Sequence, residues 1–230
     1  MAQLDQFTDT APKRLGVLAE VGWLARQPSD FQGLVARLGR WKTLEAGETI
    51  YLAGEDPDGL FGLGDGILEM TFPLIGEEPV VVHRAEPGFW IGEAAILMNQ
   101  KRFITVSAAT QARVFVIPSS SVRRIVDEEP RHWRSFYDQC LTNQITTVTL
   151  LAEALSLSPR ARVARILLRL ARPDGSVPGS QEDLGRLLGM TRSSVRRALS
   201  SLIEVGAVAS GYGVLSIRDR TVLERLVYEA

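Results

Sequence analysis

Three arginines and three hydroxyl side chains fall within seven residues, Thr191-Arg192-Ser193-Ser194-Val195-Arg196-Arg197. Guanidinium forks and hydroxyls gathered at the N-terminal end of a helix suit the base edges and phosphates of a DNA major groove. The flanking residues provide the elements that would hold them there. Thr191 is placed to cap a helix whose apolar face is Val195, Ala198, Leu199 and Leu202, leaving Arg192, Ser193, Arg196 and Arg197 on the opposite face. Upstream, Ser180 is a good N-cap, and Asp183 stands where a capping box puts Glu or Gln. Leu184, Leu187 and Leu188 then line one face of a short helix, and Gly189 falls where that helix must stop, since glycine enters a left-handed turn at no steric cost. The pattern predicts two helices joined by a tight turn.

Around this pair the chain reads as its support. Ala207–Ala209 and Val214–Ile217 flank a Ser210–Gly211–Tyr212–Gly213 turn, a hairpin wing of the kind that lies along the sugar-phosphate backbone. A helix is predicted over Pro159–Ala171, and another from Asp219 to about Tyr228. Ser156–Leu157–Ser158–Pro159 is the natural hinge. Before it, one long helix is predicted from Pro130 to about Leu157. Leu141, Val148 and Leu155 recur in it every seven residues, with Ile145, Leu151 and Ala152 between them. This coiled-coil-like seam predicts a dimerisation helix.

From Trp41 to Ile117 the pattern is short β-prone runs punctuated by Gly and Pro. Strands are expected at Thr49–Leu52, Leu60–Leu63, Ile67–Phe72, Pro79–His83, Thr105–Ala108 and Ala112–Val116, with IGEEP (residues 75–79) among the turns. Such a series indicates a sandwich or barrel of the jelly-roll kind. Gly92–Met98 interrupts it with one helical turn, and Ser119–Val126 reads as a short helix. Ahead of the strands, Leu15, Leu18, Val21 and Leu24 fit one helical face, and Phe31, Leu34, Val35 and Leu38 another. The expected fold is therefore α+β. A β-roll sensor domain with flanking helices spans 1–129, a dimerisation helix 130–157 and a winged helix-turn-helix 158–230.

Charge is divided the same way. From Ser156 onward there are 12 Arg, no Lys and 7 acidic residues, a net +5, against −6 for the rest of a chain whose total is −1. A basic module beside an acidic one fits a DNA-binding segment attached to a regulatory one. The single Cys140 excludes an intrachain disulfide framework and fits a reducing cytoplasm. No apolar run reaches the length of a membrane span, and no membrane partner is expected.

In this order, the elements resemble the Crp/Fnr superfamily of transcription regulators over nearly the whole chain. Leu44-Glu45-Ala46-Gly47-Glu48-Thr49-Ile50-Tyr51, Gly54 and Leu60-Phe61-Gly62 resemble the opening strands of a cyclic-nucleotide-binding domain. Gly185, Gly189, Val195, Arg197 and Leu202 match the family's helix-turn-helix pattern. The resemblance implies a homodimer on a two-fold operator of double-stranded DNA, with RNA polymerase as a further partner. It assigns base reading to Arg192, Ser193 and Arg197, and phosphate or neighbouring contacts to Gln181, Thr191 and Ser194. Ser193 departs from members with a Glu there, and Arg196 adds a bulky donor where those members have Gly or Ser. The half-site is therefore expected to differ from that of the catabolite activator protein.

The resemblance also implies an effector site for a cyclic nucleotide such as cAMP or cGMP. Gly92, Glu93 and Ala94 open the short helix, Arg102 follows at the family's spacing, and Thr147 falls where the family contacts the base across the dimer. The usual Ser or Thr after the arginine is replaced by Phe103, which cannot hydrogen-bond a phosphate and is bulky enough to fill its pocket. On the bland alternative, Glu93 and Arg102 form only a structural ion pair. A ligand-independent regulator, or one controlled by oxidation of Cys140, thus remains open. Haem would need axial ligands from His83, His132 and Cys140, and neither it nor a bound metal is expected. Iron–sulfur ligation needs more cysteines than one. A metal-dependent cupin-type enzyme needs clustered histidines, which two well-separated ones do not supply, so no enzyme is expected.

Overall fold

Strands β3 (Gly59–Asp65) and β8 (Ala112–Pro118) pair antiparallel at the centre of the N-terminal part of the molecule, and both are buried on two faces. The computed structural model describes residues 11–73, 79–177, 180–211 and 214–228, and divides into two compact units, Met1–Ile145 and Thr146–Ala230. In the first unit, β1 (Arg40–Leu44) and β6 (Trp90–Ile91) complete a sheet of order β1-β8-β3-β6. A second sheet has the order β2-β7-β4-β5, from β2 (Thr49–Tyr51), β4 (Leu68–Phe72), β5 (Val80–Ala85) and β7 (Thr105–Ala108). Alternation along the strands sends Leu44, Phe61, Leu63 and Val114 of one sheet and Tyr51, Leu68, Met70 and Val106 of the other into a shared core. This is the expected antiparallel roll.

The outer face of the first sheet carries Leu60, Trp90, Phe115 and Ile117 and is covered by helices. These are α1 (Ala11–Leu15), α2 (Ser29–Leu38), α4 (Ser119–Glu128) and the start of α5 (Trp133–Ser156). Trp23 sits at the centre of this layer. Its ring meets Trp90 edge-on at 5.4 Å and Phe31 at 5.7 Å, and its indole N–H donates to the Ser135 carbonyl oxygen at 2.8 Å. Gly62 faces Trp90 across the β3–β6 pair, where any Cβ would lie 2.6 Å from the indole ring.

Two sequence expectations need correction here. The segment from Leu15 to Leu24 is not one helical face: Leu15, Leu18 and Leu24 are buried but Val21 is exposed, and the chain breaks into two short 3₁₀ turns. The break follows from Gly22, which approaches Gly88 so closely that a Cβ would collide with its carbonyl oxygen. The long helix starts three residues late, because Pro130–His132 forms a 3₁₀ turn; His132 therefore precedes the helix rather than lying on it. Strands β1 and β6, together with β9 (Ser176–Val177), had no strong local pattern and arise from pairing with distant partners. All of the IGEEP turn except Pro79 lies outside the described residues, as do Tyr212 and Gly213 of the wing turn.

The second unit has its own core. Val163, Ile166 and Leu167 of α6 (Pro159–Leu170) pack with Leu184 of α7 (Gln181–Leu188) and with Val195, Ala198, Leu199 and Leu202 of α8 (Arg192–Glu204). Leu215, from the hairpin β10 (Val208–Gly211) and β11 (Val214–Ile217), and Leu223 of α9 (Arg220–Tyr228) close it. Between α5 and α6 the Ser158 hydroxyl accepts from the Ala161 backbone N–H at 3.2 Å, and Pro159 occupies the first helical position.

Candidate functional site

The helix pair forms as its local signals predict. Ser180 and Asp183 cap reciprocally: the Asp183 N–H donates to Ser180 Oγ at 3.1 Å, and the Ser180 N–H to Asp183 Oδ2 at 2.9 Å. Gly189 ends α7 in the left-handed region at φ +58°. Its neighbour Leu188 accepts a hydrogen bond on its carbonyl oxygen from Arg162 of α6. Thr191 Oγ1 accepts from the Ser194 N–H at 3.3 Å and opens α8.

With Val195, Ala198, Leu199 and Leu202 buried, Arg192, Ser193, Arg196 and Arg197 are left exposed. The Thr191 hydroxyl bonds to those of Ser193 and Ser194, each at 3.0 Å, and Arg197 donates to Ser194 Oγ at 3.4 Å. Gln181, half-buried, begins α7. The fold thus brings the expected DNA-facing residues of α8 onto one cationic surface.

In the first unit, α3 (Glu93–Leu97) and Arg102 flank one buried polar region, where Arg102 is turned inward. Its Nη1 donates to the Gly92 carbonyl oxygen at 2.9 Å, and its Nη2 donates to the Gly59 carbonyl oxygen at 2.6 Å and to Asp58 Oδ1 at 3.1 Å. The guanidinium lies 4.1 Å over the Tyr51 ring. Burial pushes the Tyr51 phenol well above its ordinary value. Among the described residues Asp58 is the anion paired with the guanidinium, and its side chain is 67% exposed.

Glu93 does not pair with Arg102. It is 3% exposed, and its Oε1 accepts from Asn143 Nδ2 on α5 at 3.0 Å. Gln139 and Asn143 also donate to the Trp90 carbonyl oxygen, at 2.6 and 3.1 Å. Two α5 side chains thereby tie the strand before α3 to the long helix, a link with no sequence signal beyond two amides one turn apart. Phe103 does not fill the pocket: the residue is 64% exposed. Thr147 is exposed on α5, in the second unit.

Burial pushes the Glu93 carboxyl above its ordinary range, against the Asn143 and backbone hydrogen bonds that favour the carboxylate. Folding therefore holds a proton that the unfolded chain has already released above its ordinary value of 4.5. The contribution of Glu93 to stability is complete below that value and declines as pH rises toward the folded-state value. Glu93→Gln is expected to remove this decline, matching the parent near pH 4 and exceeding it near pH 8 in urea midpoint. Parallel midpoint-against-pH curves for the two proteins would contradict it.

Cys140 lies beside Glu93 on the inner side of α5. Burial, with that carboxyl alongside, pushes its thiol up to about 12. Of the two histidines, His83 makes a tilted ring contact with Phe89 at 5.3 Å, whereas His132 meets Glu129 at 3.2 Å and makes a tilted ring contact with Phe31.

Two family profiles match the chain. The cyclic nucleotide-binding domain matches residues 41–129, the Crp-like helix-turn-helix domain matches residues 161–226, and between them they take in more than half of it. The chain belongs to the Crp/Fnr family. Among curated relatives, the transcriptional regulator LdrP of Thermus thermophilus is 29% identical over 187 residues, 77% of this chain and 92% of that protein. The cyclic AMP receptor protein of the same organism is 26% identical over 188 residues, 80% and 82% of the two chains. A solved structure of a CRP-family transcriptional regulator, TTHB099, also from Thermus thermophilus, superposes with a TM-score of 0.67 at 27% identity, covering 82% of this chain and 97% of that one. As a Crp/Fnr-type protein the chain is a transcription regulator rather than an enzyme. No helix among its described residues is long and apolar enough to cross a membrane.

Proposed function

We propose that this Crp/Fnr-type regulator acts as a homodimer that binds a two-fold DNA operator through α8, with RNA polymerase as a further partner. The observation that carries the reading is the exposed side of α8, where three arginines and Ser193 stand clear of a packed apolar face. Arg197→Ala is expected to cost roughly 5- to 150-fold in preference for the operator over mismatched sites, the worth of one bidentate base contact. The dimer should stay intact. Unchanged operator selectivity in a titration at fixed salt would contradict the assignment.

The effector in this reading is a cyclic nucleotide, cAMP or cGMP. Its support is an arginine whose anionic partner, Asp58, is an exposed carboxylate that a phosphate can replace. Gly92, Glu93, Ala94 and Phe103 are the further residues of the first unit assigned to this site. A ligand-independent regulator is favoured by the hydrogen bonds Arg102 already makes within the protein, and by the commitment of Glu93 to Asn143. Calorimetric titration with cAMP and cGMP, repeated on Arg102→Ala, separates the two. Micromolar binding that the substitution abolishes supports the nucleotide, and no heat from either nucleotide supports the ligand-independent form.

A further inference from the structure

We propose that Arg196 reads a guanine in each half-site, at a base pair distinct from that read by Arg192; the proposal rests on the DNA-binding reading of α8. At 100° per residue, the centre of the exposed face opposite Val195, Ala198, Leu199 and Leu202 runs through Ser193 and Ser200. Arg196 and Arg197 stand on either side of this low serine strip, about 70° and 30° from its midline. Two long side chains therefore flank two short ones on the exposed face. A helix laid in the major groove along that line brings both forks to the base edges.

The two arginines are not equivalent. Arg197 is hydrogen-bonded to Ser194, whereas Arg196 is exposed and makes no hydrogen bond or ion pair among the described residues. No carboxylate lies within one turn of it on the helix, the first acid on that face being Glu204, two turns away. Its fork is therefore free to take a partner without breaking a contact. A planar fork with parallel N–H donors matches O6 and N7 of guanine, which present two acceptors side by side in the major groove. Arg192 lies one turn back toward the N-terminus, about 6 Å along the axis. That separation places its contact on a different base pair.

The test is site selection from random duplex DNA with the full-length protein. Titrations at fixed salt then compare the selected operator and each single-base change for the parent, Arg196→Ala and Arg196→Lys. One guanine per half-site is expected whose replacement costs the parent roughly 5- to 150-fold and costs Arg196→Ala nothing. Arg196→Lys should restore affinity without the full guanine preference. Both substitutions are at an exposed position, so folding should survive. If Arg196→Ala weakens all sequences alike and lowers the salt dependence by about one phosphate contact, Arg196 is a backbone contact and the proposal is overturned. Unchanged selectivity in Arg196→Ala overturns it as well. If the parent selects no preferred sequence, the DNA-binding reading itself fails.

Discussion

Leu151→Glu is expected to sediment as a monomer and to bind the operator about 10²- to 10⁴-fold more weakly than the parent. Tyr137, Leu141, Ile145, Val148, Leu151 and Leu155 recur at three- and four-residue spacing on α5, and in the single chain they remain 40–80% exposed. A run of large apolar side chains that length, left in water on one helix, is the surface a second helix covers. Each such residue contributes about 1.5–3 kcal/mol when fully buried. Glutamate at position 151 would instead bring two carboxylates together in the seam, one from each copy, with no cation to pair them. Loss of the dimer converts two linked half-site contacts into two separate ones, which sets the size of the fall in operator affinity. The measurement is sedimentation equilibrium alongside operator titration. A stable Leu151→Glu dimer would show that α5 does not form the seam.

Gly92→Ala should be strongly damaging to the first unit, costing about 2–5 kcal/mol of stability. Gly92 has φ +113°, outside the conformations an L side chain adopts readily. An added Cβ would also lie 2.6 Å from Arg102 Nη1 and 2.9 Å from the Gly59 carbonyl oxygen. The methyl group must therefore displace the guanidinium from the acceptors that hold it. Gly47→Ala provides the control: φ is +86°, but the space around the new methyl is open. It should show the backbone cost alone, about 1–2 kcal/mol. Urea unfolding of both variants compares the two costs. Equal losses would mean that crowding against Arg102 contributes nothing and that the arginine moves freely.

Much of this molecule can be read along the chain. The capping pair Ser180 and Asp183, the stop at Gly189, the cap at Thr191 and the burial of Val195, Ala198, Leu199 and Leu202 all follow from signals within a few residues. Helices permit this because caps and 3.6-residue periodicity are local properties of the backbone. The six expected strands are present within a residue or two for the same reason, since Gly and Pro turns bracket short β-prone runs. The fold class and the cationic face of α8 were therefore determined by the sequence itself.

The region around Arg102 and Glu93 was decided by tertiary structure. Both were recognisable as chemistry-bearing residues, yet their partners are Asp58 and Gly59, more than forty residues before Arg102, and Asn143, fifty after Glu93. Phe103 stands in solvent because Arg102, its neighbour, turns into the roll. Strand β1 exists because Arg40–Leu44 finds β8 some seventy residues later. Side-chain direction at such places depends on which distant backbone carbonyls need a donor once the sheets have closed, and buried polar groups are placed by that requirement rather than by their neighbours in sequence.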